Sequence, residues 1–156
     1  MPPPLSAGIL LYRRRAGETE VLLIHPGGPY WTKRDVGAWM IPKGGVDEGE
    51  APRDAATREF EEETGARLSA RPFPLCRVKQ AGGKIVEVFA AESDFDIAAL
   101  SSTEFEMEWP PRSGRLRRFP EADQARWMTL GDARRMMLPS QLPMLGALEQ
   151  KLQSMR

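Results

Sequence analysis

Apolar positions follow two rhythms along this chain, and the rhythms divide it into strands and helices. Ser6–Arg13 (SAGILLYR) is apolar almost without a break, as a strand covered on both faces would be. A turn at Arg14-Arg15-Ala16-Gly17 leads to a second strand, Glu20–His25. A loop rich in glycine and proline follows from His25 to Gly37. Trp39-Met40-Ile41-Pro42 then predicts a short strand feeding a turn at Gly44-Gly45, where paired glycines permit positive φ and the close approach of a ligand. A helix is expected from about Ala51-Pro52 to a stop at Gly65, with Ala55, Ala56 and Phe60 facing inward; proline is tolerated in a first turn. Strands at about Phe73–Gln80 and Lys84–Glu92 flank Ala81-Gly82-Gly83 as a hairpin.

Farther on, Thr103–Trp109 alternates acidic with apolar residues, a period-two strand with Glu104, Glu106 and Glu108 on one side. Pro110-Pro111 ends it, and an arginine-rich stretch follows (Arg112, Arg115, Arg117, Arg118). Arg126-Trp127-Met128 predicts a late strand, and helices are expected at about Leu130–Met137 and Gln141–Leu152. Strands on both sides of one helix, then closing helices, imply an α/β chain with a mixed sheet between helical layers. No repeat, low-complexity tract or linker interrupts it, so residues 1–156 are expected to form one domain.

The helix at 51–65 carries an unusual load. Glu59, Glu62 and Glu63 are spaced i, i+3, i+4, which puts all three carboxylates on one face. Like charges so placed repel by a few tenths of a kcal/mol per pair, about what an ordinary surface pair contributes. A hard divalent cation gives the arrangement a use, because Mg²⁺ and Mn²⁺ prefer carboxylate oxygens.

The surrounding spacing is equally specific: Gly44, Glu50, Arg58, Glu59, Phe60, Glu62, Glu63, Gly65, Ala66. With every fixed position filled, and Ala66 as a smaller aliphatic than usual, the stretch resembles the signature of the Nudix hydrolases. That resemblance implies an α/β/α sandwich with a mixed central β-sheet. It also implies a Mg²⁺-dependent enzyme, with Mn²⁺ as a substitute, that cleaves the pyrophosphate bond of a nucleoside diphosphate linked to another group. Glu59, Glu62 and Glu63 would be the metal ligands, joined by a backbone carbonyl at Lys43 or Gly44. Arg58 would pair with Glu50 and hold the preceding loop against the helix, which Gly65 ends. The general base is left open between Glu62 and the later carboxylates Glu104, Glu106 and Glu108. Glu106 is preferred among these three for its central place. Trp39, Pro42, Lys43 and Gly44 look like the turn of small enzymes acting on diadenosine polyphosphates or nucleoside triphosphates. Gln80 to Gly83 lacks the tyrosine or proline that marks dinucleoside-polyphosphate and ADP-ribose subfamilies. Some Nudix domains only bind nucleotides, as sensors, but those usually lose a metal carboxylate, and all three are kept here.

Composition narrows the partners. Of 156 residues, 22 are basic and 22 acidic, so no overall field attracts a polyanion and phosphate binding must be local. We therefore expect a small nucleotide as substrate rather than a nucleic-acid polymer, and a monomer or homodimer. Cys76 is the single cysteine, which excludes an internal disulfide and suggests a reducing, cytoplasmic location. The lead Met-Pro-Pro-Pro-Leu has no basic or apolar run, and no segment approaches eighteen apolar residues, so neither targeting nor membrane insertion is expected.

For the substrate, Tyr30 and Trp31 would either stack on a base or close their loop onto the core. Lys43, Arg112 and Arg115 are within the candidate set for phosphate contacts. Trp39 and Trp109 are expected in the core, lone His25 in a structural role, and Cys76 as a small core residue.

Overall fold

A computed structural model describes residues 5–155. The Met1–Pro4 lead, expected to carry no targeting signal, lies outside the described residues. The element order is β1 (Leu5–Arg15), β2 (Glu18–Pro26), β3 (Lys43–Gly45), α1 (Pro52–Thr64), β4 (Phe73–Lys79), β5 (Ile85–Glu92), β6 (Glu104–Glu108), β7 (Leu116–Pro120), β8 (Ala122–Thr129), α2 (Leu130–Met136) and α3 (Pro143–Ser154). Six strands form the main sheet, five in the order β4-β5-β1-β2-β8 and the sixth, β3, pairing β1 off this path. β1 runs parallel to β5 and antiparallel to β2 and β3, so the sheet is mixed.

β1 explains why the chain opens on an unbroken apolar run. Ala7, Ile9 and Leu11 face one way, into a cluster with Ala55, Ala56 and Phe60 of α1. Leu10 and Tyr12 face the other, into a cluster with Met136 of α2 and Leu145 and Leu148 of α3. β2 divides likewise, with Leu22 and Ile24 toward α1 and Val21 and Leu23 toward α3. Period-two alternation on a strand covered on both sides yields continuous hydrophobicity in sequence and two separate half-cores in space. The α/β/α sandwich is therefore as expected. Among the described residues, no helix is long and apolar enough to cross a membrane.

Five details differ from the sequence reading. Trp39 to Pro42 makes only isolated bridges, Ile24 with Met40 and Trp39 with Met137; the strand is β3, one step later. Gly44 and Gly45 thus sit in a strand paired with Ala7 and Ser6 rather than in a turn, and neither has positive φ. The arginine-rich stretch contains β7, which pairs β6 in a separate two-stranded ribbon. That strand was illegible because Leu116, Arg117 and Arg118 are exposed and show no apolar alternation. Trp109 is half-buried beside the loop at Tyr30 instead of lying in the core, whereas Trp39 is buried as expected. Cys76 is also only half-buried, on β4 at the sheet edge, where burial still pushes its thiol pKa up.

Candidate active site

α1 starts at Pro52 with its first turn free of a side-chain cap and ends at Gly65, whose φ of 79° is left-handed. The Gly65 N–H donates to the Glu61 carbonyl at 2.8 Å, closing the last turn. Glu59 and Glu63, four residues after Ala55 and three after Phe60, lie on the same inward side of α1 as the apolar residues, where the helix passes β3. Glu62 sits at the outer edge of that side.

Glu63 is nearly buried, and its Oε2 accepts from the Lys43 N–H at 2.9 Å. Burial first, and the Glu59 charge second, push its pKa up to about 8, against the pull of Lys43. Glu59 is raised by burial too, despite its bond with Arg58. A Cβ at Gly44 would displace the Glu59 carboxylate, so glycine lets that carboxylate lie directly against the strand, and positive φ plays no part. Glu62, at the outer edge, is exposed. Burial lowers the pKa of Lys43, against the nearby Glu63 and Glu59.

Arg58 braces the group. Its Nε and Nη2 reach the two oxygens of Glu50 at 2.9 and 3.0 Å, and Nη2 also donates to the Gly45 carbonyl at 3.0 Å. Nη1 donates to Glu59 at 2.9 Å and Glu62 at 3.4 Å. The fork lowers the Glu50 pKa to about 2 and raises that of Arg58. Glu50 also accepts from the Asp47 N–H at 3.0 Å, tying the loop before the helix to its own brace.

These oxygens suit a hard divalent cation. Glu59 and Glu63 crowd negative charge into a partly dry corner, and Gly44 leaves the backbone beside them uncovered. Among the described residues, no three acidic, histidine or cysteine side chains converge into a ready-made cage. Glu59, Glu62 and Glu63 with a nearby backbone carbonyl would offer the hard oxygen donors that a divalent cation takes.

A fourth carboxylate, missed from the sequence, adjoins this corner. Glu121 lies between β7 and β8, and its charge acts on Glu59, Glu63 and Lys43. Its side chain reaches solvent, yet surrounding protein atoms crowd it enough to raise its pKa, with Glu62 adding to the rise. Backbone hydrogen bonds hold it there: Thr103 N–H to the Glu62 carbonyl at 2.8 Å, Glu121 N–H to the Thr103 carbonyl at 2.9 Å, and Gly27 N–H to the Glu121 carbonyl at 3.1 Å. Nothing local in the sequence marks it beyond an acidic residue at the start of a strand.

The expected later carboxylates stand elsewhere. Glu104, Glu106 and Glu108 are exposed on one face of the ribbon; Glu106 pairs in register with Arg118, which lies 3.9 Å from Glu104. None of the three is among the charges acting on Glu59 or Glu63. Tyr30 is 59% exposed and packs edge-on against Trp109, ring centroids 5.3 Å apart. Trp31 is half-buried under Arg34. Arg112 is exposed at the ribbon's turn. His25 is buried, with Asp123 at 2.8 Å and the Arg34 carbonyl at 2.6 Å, so both ring nitrogens are engaged. It lines a cleft of about 480 Å³ to which none of the box glutamates contributes.

Comparison with known proteins identifies the family and the fold. A family model described as NUDIX domain matches residues 2–148. An RNA pyrophosphohydrolase of Rhodospirillum rubrum is 46% identical over 68 residues, 42% of this chain and 39% of that protein's length. An RNA pyrophosphohydrolase of Erythrobacter litoralis is 32% identical over 127 residues, covering 64% of this chain and 75% of the relative. Among solved structures, a C. elegans Ap4A hydrolase binary complex superposes with a TM-score of 0.69 at 24% identity, covering 97% of this chain and 98% of that one. The NUDIX domain of Shewanella oneidensis NrtR with ADP ribose gives a TM-score of 0.66 at 17% identity, covering 97% and 90%.

Proposed function

The chain belongs to the Nudix pyrophosphohydrolase family, and from that premise we propose that it hydrolyses a phosphoanhydride bond of a nucleotide with Mg²⁺, or Mn²⁺ in its place. The observation that carries this reading is the corner itself: Glu59 and the buried Glu63 brought against the uncovered Gly44 strand, with Arg58 bracketed by Glu50. Glu59, Glu62 and Glu63, with a carbonyl of Lys43 or Gly44, would hold the ion. When bound, it would neutralise phosphoryl charge and make water more acidic.

The chain's own groups supply the rest. Arg58 acts as a positioning residue, since its donors are spent on Glu50, Gly45, Glu59 and Glu62. Lys43, at the rim of the acidic corner, meets a substrate phosphate as a point charge. One carboxylate must take the proton of the attacking water. Glu121 is better sited for this than Glu106, because backbone hydrogen bonds through Thr103 tie it to the last turn of the glutamate helix, whereas Glu106 stands on the exposed face of the ribbon. The relatives named RNA pyrophosphohydrolases and the Ap4A hydrolase put 5′-phosphorylated RNA and dinucleoside polyphosphates beside nucleoside triphosphates as substrates to try.

Phosphate release from that panel with Mg²⁺ or Mn²⁺ tests the proposal. Turnover is expected on at least one member, and Glu121→Gln should cut it by about 10²–10⁴-fold with the fold intact. An equal loss in Glu106→Gln, with Glu121→Gln active, would return the base to the ribbon. Tight nucleotide binding without turnover on any member would make the chain a sensor.

A further inference from the structure

The β6–β7 ribbon segregates its residues by face. Register pairs Phe105 with Phe119 and Met107 with Arg117, and the Trp109 N–H donates to the Arg115 carbonyl at 2.9 Å, so Phe105, Met107, Trp109, Arg115 and Arg117 share one face. All three glutamates of β6 are on the other face. The aromatic face is only partly covered: Gly28 approaches the Phe105 ring, and Tyr30 meets Trp109 edge-on. Tyr30 remains exposed, Trp109 half-exposed, and Arg115 and Arg117 exposed; among the described residues neither arginine has a carboxylate partner.

Backbone hydrogen bonds tie the two segments that carry this face to the acidic corner. The ribbon begins at Glu104, beside Thr103, whose backbone bridges Glu62 and Glu121. The loop bearing Tyr30 begins at Gly27, bonded to Glu121. Three residues of extended chain span at most about 10 Å, so Tyr30 cannot lie farther than that from Gly27. Tyr30 thus stays close to the segment bonded to Glu121 and meets Trp109, while Arg115 and Arg117, the latter over the Phe119 ring, line the same face of the ribbon.

We propose that the edge-to-face pair Tyr30 and Trp109 forms a platform for a nucleobase of the substrate, one exposed ring stacking on the base and the other bracing it from the side, with Arg115 and Arg117 on the same face for sugar and phosphate oxygens. The platform rests on the nucleotide-hydrolase reading above. Aromatic faces accept any base, so it supplies affinity for a nucleoside more than discrimination among bases. The ribbon is then a substrate-binding arm, and its outward glutamates keep the opposite face from attracting phosphate.

Equilibrium binding under conditions without turnover tests this. ATP, diadenosine tetraphosphate and a 5′-triphosphorylated oligoribonucleotide carry bases; inorganic tripolyphosphate does not. Tyr30→Ala and Trp109→Ala should weaken the base-bearing ligands by about 5- to 150-fold, the range that base–aromatic stacking spans. Tripolyphosphate should bind as before, and Tyr30→Phe and Trp109→Phe should retain most of the affinity. The member that loses most identifies which nucleoside source the platform serves. Unchanged affinity for every base-bearing ligand, or an equal loss for tripolyphosphate, would overturn the proposal. Should Trp109→Ala disturb folding, the exposed Tyr30 decides alone. Failure of the hydrolase reading appears separately, as no phosphate release from any substrate, while selective loss of base binding would still uphold the platform.

Discussion

At the scale of single residues, the acidic corner depends on one missing side chain and one displaced proton. Gly44→Ala would drive a methyl group into the Glu59 carboxylate without disturbing φ. Displacing a site group by about 1 Å costs on the order of 10²-fold in rate, so turnover should fall by about that factor while thermal unfolding changes little. Glu63 gives a signature in pH. The unfolded chain releases this proton near 4.5, whereas the fold holds it up to about 8. Between these values the unfolded state binds fewer protons, so this group's contribution to stability is full below about pH 4.5 and declines as pH rises toward 8. Glu50 works in the opposite sense: held down to about 2 by Arg58, it favours the fold above pH 4.5 and loses that effect as pH falls toward 2. Denaturant unfolding at several pH values, with a chelator present, should show a steeper decline from pH 5 to 8 in the wild type than in Glu63→Gln. Parallel profiles would show that Glu63 ionises normally.

Elements matter through their ends. α1 stops where Gly65 turns left-handed, and a Cβ there would also come within 2.5 Å of the Ser101 carbonyl oxygen. Gly65→Ala should therefore destabilise by about 1–3 kcal/mol, lowering Tm by about 2–4 °C per kcal/mol for a chain of this size. The same variant should impair activity, because Thr103 docks on the Glu62 carbonyl in that last turn and carries Glu121 with it. A melt unchanged from wild type would refute this account of the cap. The helix and its stop were legible because capping chemistry is local: Pro52 at the start, Gly65 at the end, three apolar residues on one side. β7 was not, since an exposed ribbon strand owes its form to pairing with β6 rather than to any apolar rhythm of its own.

For the whole molecule, β1 and β2 are the shared wall of two half-cores, which leads us to propose a single cooperative domain. Phe60→Ala on the α1 side and Leu148→Ala on the α3 side should each cost about 2–5 kcal/mol. Both should lower one common unfolding transition; two separable transitions would show that the layers fold independently. Net charge of zero means that no global field steers an anionic substrate, so the salt dependence of binding should follow the local lysine and arginines. The sandwich, the helix and its cation-seeking carboxylates were readable from the chain alone, because two-sided burial, helix capping and i, i+3, i+4 spacing are encoded in short-range order, while the reaction chemistry came through the resemblance that the Gly44–Gly65 stretch carries. Other features arose only from long-range contacts. Glu121 reaches the corner through hydrogen bonds among Gly27, Glu62 and Thr103, segments far apart in sequence. Tyr30 meets Trp109 across 79 residues, and Gly44 makes room for a carboxylate fifteen positions away, with no part played by positive φ. Local periodicity reports which face a residue takes, but the partner on that face is chosen by how the sheet, helices and ribbon close on one another.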